Sequence, residues 1–332
     1  TYWIGLQLSC ILYANNGMSQ VHKKMLQKEE YHLWGKTQIN ELSEKGNWIS
    51  YAMIYSEGQD TLFIKHTTKE TAFHVIEGKQ GMFIGEKWFV CLKQSNSLEV
   101  IDLLSGKSIT FENIKGYKVA ENKKFIVMES MPQNNVQKIT VFNVETLKSS
   151  TWDNIAKYYL NQKKNRMAIY SMTDEGNSLR IIDLKTLKDK VELESNATES
   201  ITNVTWQNEG DNLAYFMGDN NILHYSLKNQ IKSVVNLKDN LLTKENQKLV
   251  TDGRLPLTIS NDGKRVFFGV INNKKEQEKT NVQIWNTQDR LIYPENKIIA
   301  GWDNAPKIAV WIPDENKTML LTDNNLPKGY LN

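Results

Sequence analysis

The chain has 332 residues, 40% of them apolar and 10% aromatic, which is enough for one large all-β domain or two ordinary ones. Its 41 basic and 38 acidic residues leave a net charge of only +3, too balanced for a nucleic-acid partner held by phosphate neutralisation. Two cysteines, Cys10 and Cys91, supply neither a disulfide framework nor a metal-ligand spacing.

The first stretch, Tyr2 to Ala14, is largely apolar, and the small residues Gly17 and Ser19 stand three and one before Gln20. That is the pattern at the end of a secretory signal peptide, with cleavage between Ser19 and Gln20. The sequence starts with threonine and carries no basic n-region, so residues 1–19 are expected to be a truncated signal. The mature protein is then periplasmic or extracellular. A lipoprotein cysteine at Cys10 fits less well, because Gln7 stands where that pattern wants leucine. No later apolar run reaches the roughly 18 residues of a membrane span, so none is expected. Residues 20–40 are polar and lysine-rich, with Tyr31–Trp34 their only apolar knot, and read as a lead-in. Residues 41–332 read as the folded domain.

From there one phrase recurs about every 40 residues, the period of a β-propeller blade. Apolar strands begin at Asn47, Lys87, Lys124, Arg166, Asn212 and Arg265, each after a polar turn such as Glu44-Lys-Gly46 or Ser260-Asn-Asp-Gly-Lys264. Such turns supply the positive φ that a tight strand connection demands. More alternating strands follow, as in Thr61–Lys65 with Ala72–Val75 and Ile222–Ser226 with Ser233–Leu237. Continuous apolar runs beside alternating ones are expected where inner strands are buried on both faces and outer strands on one. Three copies close on an aspartate or asparagine turn: Leu98–Lys107, Ile139–Lys148 and Leu179–Lys188.

The phrases at Val282–Asn286 and Ile308–Pro313 lie too close together for a whole blade between them. The fold expected is all-β, a β-propeller of seven four-stranded blades, or eight, with the last one shortened. Asn272–Lys279 reads as a charged hairpin insertion, and Asp239–Asp252 as a long polar interruption with room for one helical turn.

Chemistry is sparse. There is no Gly-x-Ser-x-Gly nucleophile elbow. The five histidines (His22, His32, His66, His74 and His224) are scattered, and His74 and His224 read as ordinary outer-strand residues. Gly106-Lys107-Ser108 is similar to the end of a phosphate loop, but Ile101 occupies the place of its first glycine, so it reads as a turn. Asp219-Asn-Asn221 and Asp323-Asn-Asn325 lack the ligand series of a calcium loop. Trp285 and Trp311 read as core, and Cys91 as a small buried hydrophobe. No catalytic, cofactor-binding or metal-binding residue is assigned, and no cofactor is expected.

Two segments go beyond a generic propeller. Tyr55–Lys65 (YSEGQDTLFIK) and Val282–Pro294 (VQIWNTQDRLIYP) resemble segments of the exported prolyl oligopeptidase-family serine peptidases of Bacteroidetes-type bacteria. Ser260–Lys264 is also similar to the repeats of periplasmic TolB-like propellers. The peptidase resemblance implies a propeller followed by a C-terminal α/β-hydrolase domain that carries serine, aspartate and histidine. Those residues have no positions to map onto before Asn332, so the chain is expected to be a fragment of a longer reading frame. The implied role is a gate that admits peptide substrates to the hydrolase domain of the parent chain. The alternative is a stand-alone periplasmic propeller that binds protein or glycan partners without catalysis.

Overall fold

The computed structural model describes residues 34–134, 137–239, 247–272 and 305–323, together with a few single positions outside those runs. Among them there are strands, turns and short 3-10 turns, and no α-helix. The chain divides into two units, Thr1–Glu112 and Asn113–Asn332.

Unit 1 holds two antiparallel sheets. The first runs β1 (Gly35–Leu42), β2 (Trp48–Tyr55), β3 (Thr61–His66), β4 (Ala72–Ile76), and the second β5 (Gly78–Ile84), β6 (Trp88–Lys93), β7 (Leu98–Asp102), β8 (Ser108–Phe111). Burial follows position in the sheet. Trp88 to Leu92 are all buried on the inner strand β6, whereas β8 alternates exposed and half-buried residues. Trp48, Leu62, Ile64 and Val75 of the first sheet pack on Phe83, Phe89, Cys91 and Ile101 of the second, giving one core.

Unit 2 continues the pattern with one departure. β9 (Ile114–Val119), β10 (Phe125–Ser130), β11 (Gln137–Asn143), β12 (Lys148–Leu160), β13 (Arg166–Thr173), β14 (Gly176–Asp183) and β15 (Lys188–Ala197) form a single seven-stranded sheet. The long β12 belongs to two meanders. Its first part pairs β11 from Lys148 to Ile155, and its second pairs β13 from Ile155 to Leu160. Asn154, at φ 57°, marks the bulge at which the strand changes partner. The fifth meander is β16 (Ile201–Trp206), β17 (Asn212–Met217), β18 (Asn221–Ser226), β19 (Ile231–Asn236).

The sixth sheet has a split first strand. β20 (Gln247–Leu249) and β21 (Thr258–Ile259) pair with opposite halves of β22 (Val266–Asn272), which pairs with β23 (Lys307–Ile312) and through it with β24 (Lys317–Leu320). The residues between the two halves cross Gly269 so closely that a Cβ there would stand 2.8 Å from the Leu255 Cβ and 2.9 Å from the Val250 Cβ. Glycine is the residue that permits this approach.

All six meanders among the described residues are four-stranded and antiparallel when β12 is counted in both of its sheets, so the fold class is all-β, of β-propeller type. The aspartate and asparagine turns have a local cause. The Asp102 carboxylate accepts from the Leu104 and Ser105 N–H groups, the Asn143 side-chain oxygen from Glu145 and Thr146, and the Asp183 carboxylate from Lys185. Each turn then closes through a residue at positive φ: Gly106 (73°), Leu147 (56°) and Leu187 (55°). A side chain that mimics a backbone turn, followed by a left-handed residue, reverses the strand within a few residues.

Ile308–Ile312 lies in the strand that follows β22 in the sixth sheet, paired with it from Val266 to Val270. Close spacing of two apolar phrases is a poor guide where a long connection separates strands of one sheet. The phrase at Val282 and the insertion from residue 273 onward lie outside the described residues, as does the signal-like segment 1–19. The strand β1 straddles the boundary drawn at residue 41, since its pairing with β2 already begins at Gly35. The polar interruption after Asp239 re-enters the sheet at Gln247 as β20.

Candidate functional site

The described cleft with the richest chemistry lies in unit 2, where the strand-end turns of the fourth, fifth and sixth meanders meet. Its volume is about 730 Å³. The floor is built by one turn used repeatedly between first and second strands. The Asn161 N–H donates to the Arg166 carbonyl (3.1 Å), Gln207 to Asn212 (2.8 Å) and Ser260 to Arg265 (2.9 Å). Side chains then step from each turn to the next. The Asn161 amide donates to Asp211 Oδ1 (3.2 Å), the Gln207 amide to the Asn261 carbonyl (2.7 Å) and the Asn212 amide to the Gly263 carbonyl (3.4 Å). Asn161 and Gln207 are buried, so these bonds fix the floor; an unmet amide there would cost about 1–3 kcal/mol. Gly263 holds φ 73°, and a Cβ on it would lie 2.3 Å from Asn212 Nδ2.

Charged residues of both signs line the walls: Arg166, Lys190, Lys228 and Lys264 with Asp211, Asp262 and Asp314. Two of them are already engaged. Arg166 lies 3.2 Å from the Asp183 carboxylate and donates to the Asn165 carbonyl. Asp262 lies 2.9 Å from the Arg265 guanidinium, and bonds from the Ser260 hydroxyl and the Lys264 N–H hold its carboxyl below the ordinary range.

His224 completes the wall. It sits on β18 opposite Ala214 and Ser233, only 6% exposed, with its ring edge-on to Trp311 at 6.5 Å between centroids. Burial pushes its basicity below the usual imidazole range, although the nearby Asp314 charge pulls the other way. Burial therefore disfavours the protonated ring. Neither its Nε2 nor the Trp311 Nε1 has a hydrogen-bond partner among the described residues.

The other residues singled out from the sequence take structural places. Cys91 is fully buried on β6, and burial pushes its thiol up to about 12, the opposite of a reactive nucleophile. His66 Nδ1 accepts from the Thr68 and Lys69 N–H groups, and its ring meets Trp48 edge-on. His74 is exposed on β4 beside Phe63. Gly106–Ser108 is the β7–β8 turn, and Asp219–Asn221 the turn into β18. Trp311 is core, as expected. His22, His32, Cys10, Trp285, Asn324 and Asn325 lie outside the described residues.

The feature missed from the sequence is His224. A polar residue inside the run Ile222-Leu-His-Tyr was its one local signal. Nothing local said that turns from three separate meanders would surround it. Among the described residues no three His, Cys, Asp or Glu side chains group so as to hold a metal, and no helix is long and apolar enough to cross a membrane.

No protein-family model matches the chain, and no curated protein is similar to it in sequence. Among solved structures, the tricorn protease aligns with 86% of this chain at 12% identity and a TM-score of 0.36; the chain spans 26% of that protein's length. Hydrazine synthase of Kuenenia stuttgartiensis aligns with 91% of this chain and 99% of its own at 10% identity and a TM-score of 0.34. Likeness at this level speaks to neither substrate nor chemistry.

Proposed function

We propose that this chain is the non-catalytic propeller portion of an exported serine peptidase of the prolyl oligopeptidase type, and that it holds short peptides on their way to a separate hydrolase domain. The observation that carries this reading is the unit 2 cleft. Lysines and aspartates line one cleft together with the Gln207 and Asn212 side chains, so a zwitterionic peptide finds charges of both signs and hydrogen-bonding groups within it. The segment Tyr55–Lys65, which resembles that family, forms the β2–β3 hairpin and supports the same reading.

The role needs no nucleophile here. The one described cysteine is buried with its thiol raised, which suits a scaffold. The test is to expose the purified chain to a serine-directed fluorophosphonate and a peptide ester, and to titrate it with a randomised tetrapeptide library that has both termini free and carries a dansyl group on an internal lysine side chain. Binding without labelling or ester hydrolysis is expected. Labelling at one serine would overturn the non-catalytic assignment, and absence of any binding would overturn the peptide-holding role.

A further inference from the structure

Apart from any peptide-holding role, we propose that Asp252–Gly253 is a site of spontaneous aspartate isomerisation, and that the fold withholds the same chemistry from the identical pair Asp262–Gly263.

Asp252–Gly253 lies between the two halves of the split strand, β20 and β21, and Asp262–Gly263 in the turn from β21 to β22. Glycine after aspartate favours the reaction, because no Cβ hinders the approach of the glycine nitrogen to the side chain. The Gly253 nitrogen attacks Asp252 Cγ and loses its proton, a carboxyl C–O bond breaks, and one water leaves to give a succinimide. Water then opens the ring. Opening at Cγ restores aspartate, whereas opening at the main-chain carbonyl routes the chain through the side chain and gives isoaspartate. Water is the only co-reactant, and nothing is oxidised or reduced.

The surroundings of the first pair permit ring closure. Asp252, Gly253 and Arg254 are all exposed, and a Cβ on Gly253 would meet nothing within 4 Å, so the peptide link has room to turn. The Asp252 carboxylate already folds back on the chain that follows it. Its Oδ1 accepts from the Arg254 N–H at 3.2 Å, and its Oδ2 lies 2.8 Å from Arg254 Nε. Both partners of that ion pair are exposed, so it holds the carboxylate weakly. Among the described residues the Gly253 N–H makes no backbone hydrogen bond that closure would break.

The second pair differs on each count. The Gly263 N–H donates to the Ser260 carbonyl at 2.8 Å. Gly263 is buried, with Asn212 Nδ2 only 2.3 Å from where its Cβ would stand. The Asp262 carboxylate is held by the Ser260 hydroxyl, the Lys264 N–H and the Arg265 guanidinium. Turning the Gly263 nitrogen onto Asp262 Cγ would break a turn that the Gln207 and Asn212 amides grip from the fifth sheet. At Asp252 the extra main-chain carbon enters an open loop, whose flanking residues Val250 and Leu257 are buried and stay anchored.

Trypsin separates the two pairs, because Lys248, Arg254 and Lys264 bound the peptides Leu249–Arg254 and Leu255–Lys264. The full chain is aged for weeks at neutral pH and body temperature, native and in urea, then digested and chromatographed. Isoaspartate appears as a peptide of unchanged mass that resists an endoproteinase cutting before aspartate and accepts a methyl group from an isoaspartyl methyltransferase. In native protein it is expected to accumulate at least about ten-fold faster in Leu249–Arg254, since closure at Asp262 must first break a backbone hydrogen bond and a packed turn. In urea the two peptides are expected to age at comparable rates. Equal native rates would overturn the protection of Asp262, and a native Leu249–Arg254 that forms no isomer would overturn the site. An unchanged ratio in urea would assign the preference to local sequence and overturn the role of the fold.

Discussion

In unit 1, the step from the first sheet to the second is spanned by carboxylates. Glu41 accepts from the Phe83 N–H at 2.6 Å, and Glu86 accepts from the Lys45 N–H at 2.6 Å and the Ser43 hydroxyl at 3.0 Å. In unit 2, the equivalent steps are spanned mostly by amides: Asn161 to Asp211, Gln207 to Asn261, Asn212 to Gly263, with the Trp206 indole donating to the Tyr159 carbonyl. Both solutions satisfy the same turn. Charge-assisted bonds are roughly twice as strong as neutral ones, but they titrate. Neutral amides do not. The unit 2 floor thus rests less on carboxylate acceptors, although Asp211 still takes the Asn161 amide, and Asp262, held below its ordinary range, shares the wall with the buried histidine.

The largest effect is expected at the exception in unit 2. The buried Tyr215 hydroxyl donates to Glu194, which is also paired with Lys232 at 2.6 Å, joining β15 to β17 and β19 through a charged contact. Tyr215→Phe is expected to destabilise unit 2 by about 1.5–3 kcal/mol, the range for a hydrogen bond to a charged group. Urea unfolding measures it, and a change below about 0.5 kcal/mol would remove this contact from the account.

Acid should then separate the units. Burial alone would raise Glu86, but the Lys45, Ser43 and Asn47 bonds outweigh it and hold the group below its ordinary 4.5. Its contribution to stability is present above the unfolded value and is lost as pH falls through the folded one. His224 is also depressed, but as a base: its neutral burial is tolerated above the unfolded value near 6.5 and penalised as pH falls below it. Hydrogen-exchange protection, taken relative to the intrinsic rate at each pH, is expected to fall in β18 between pH 7 and 5.5 while β6 stays protected, with β6 following only below about pH 4.5. Glu86→Gln should flatten the second loss; the same acid slope in the variant would assign it to other carboxylates.

The smallest effect contrasts two copies of one turn. Unit 1 closes β7–β8 with Gly106, whereas unit 2 closes β11–β12 with Leu147, which is 53% exposed at φ 56°. A left-handed leucine costs about 1–2 kcal/mol, and the entropy of a replacing glycine offsets about half to one. Leu147→Gly should therefore stabilise unit 2 by roughly 0.5 kcal/mol in a thermal melt. A loss of stability would mean that the leucine side chain is held by packing, as the half-buried Leu187 of the next turn is.

The strands and hairpins were legible because their causes are local. An apolar run such as Trp88–Leu92 cannot face water on either side, and an aspartate or asparagine at Asp102, Asn143 and Asp183 closes its own turn. Other features turn on contacts between residues far apart in the chain. Whether Lys307–Ile312 starts a blade or completes one depends on its register with Val266–Val270. Whether Lys148–Leu160 is one strand or two depends on having partners on both sides. His224 could be read only as a polar residue in an apolar strand; Trp311 and Asp314, nearly ninety positions on, bury it and modulate its charge. The amino-acid sequence alone determined the all-β architecture, its period and its turn chemistry, since each is set within a few residues. Tertiary structure decided the strand partners and the cleft, since both depend on bringing together turns from Arg166 to Asp314, a pairing no local preference encodes.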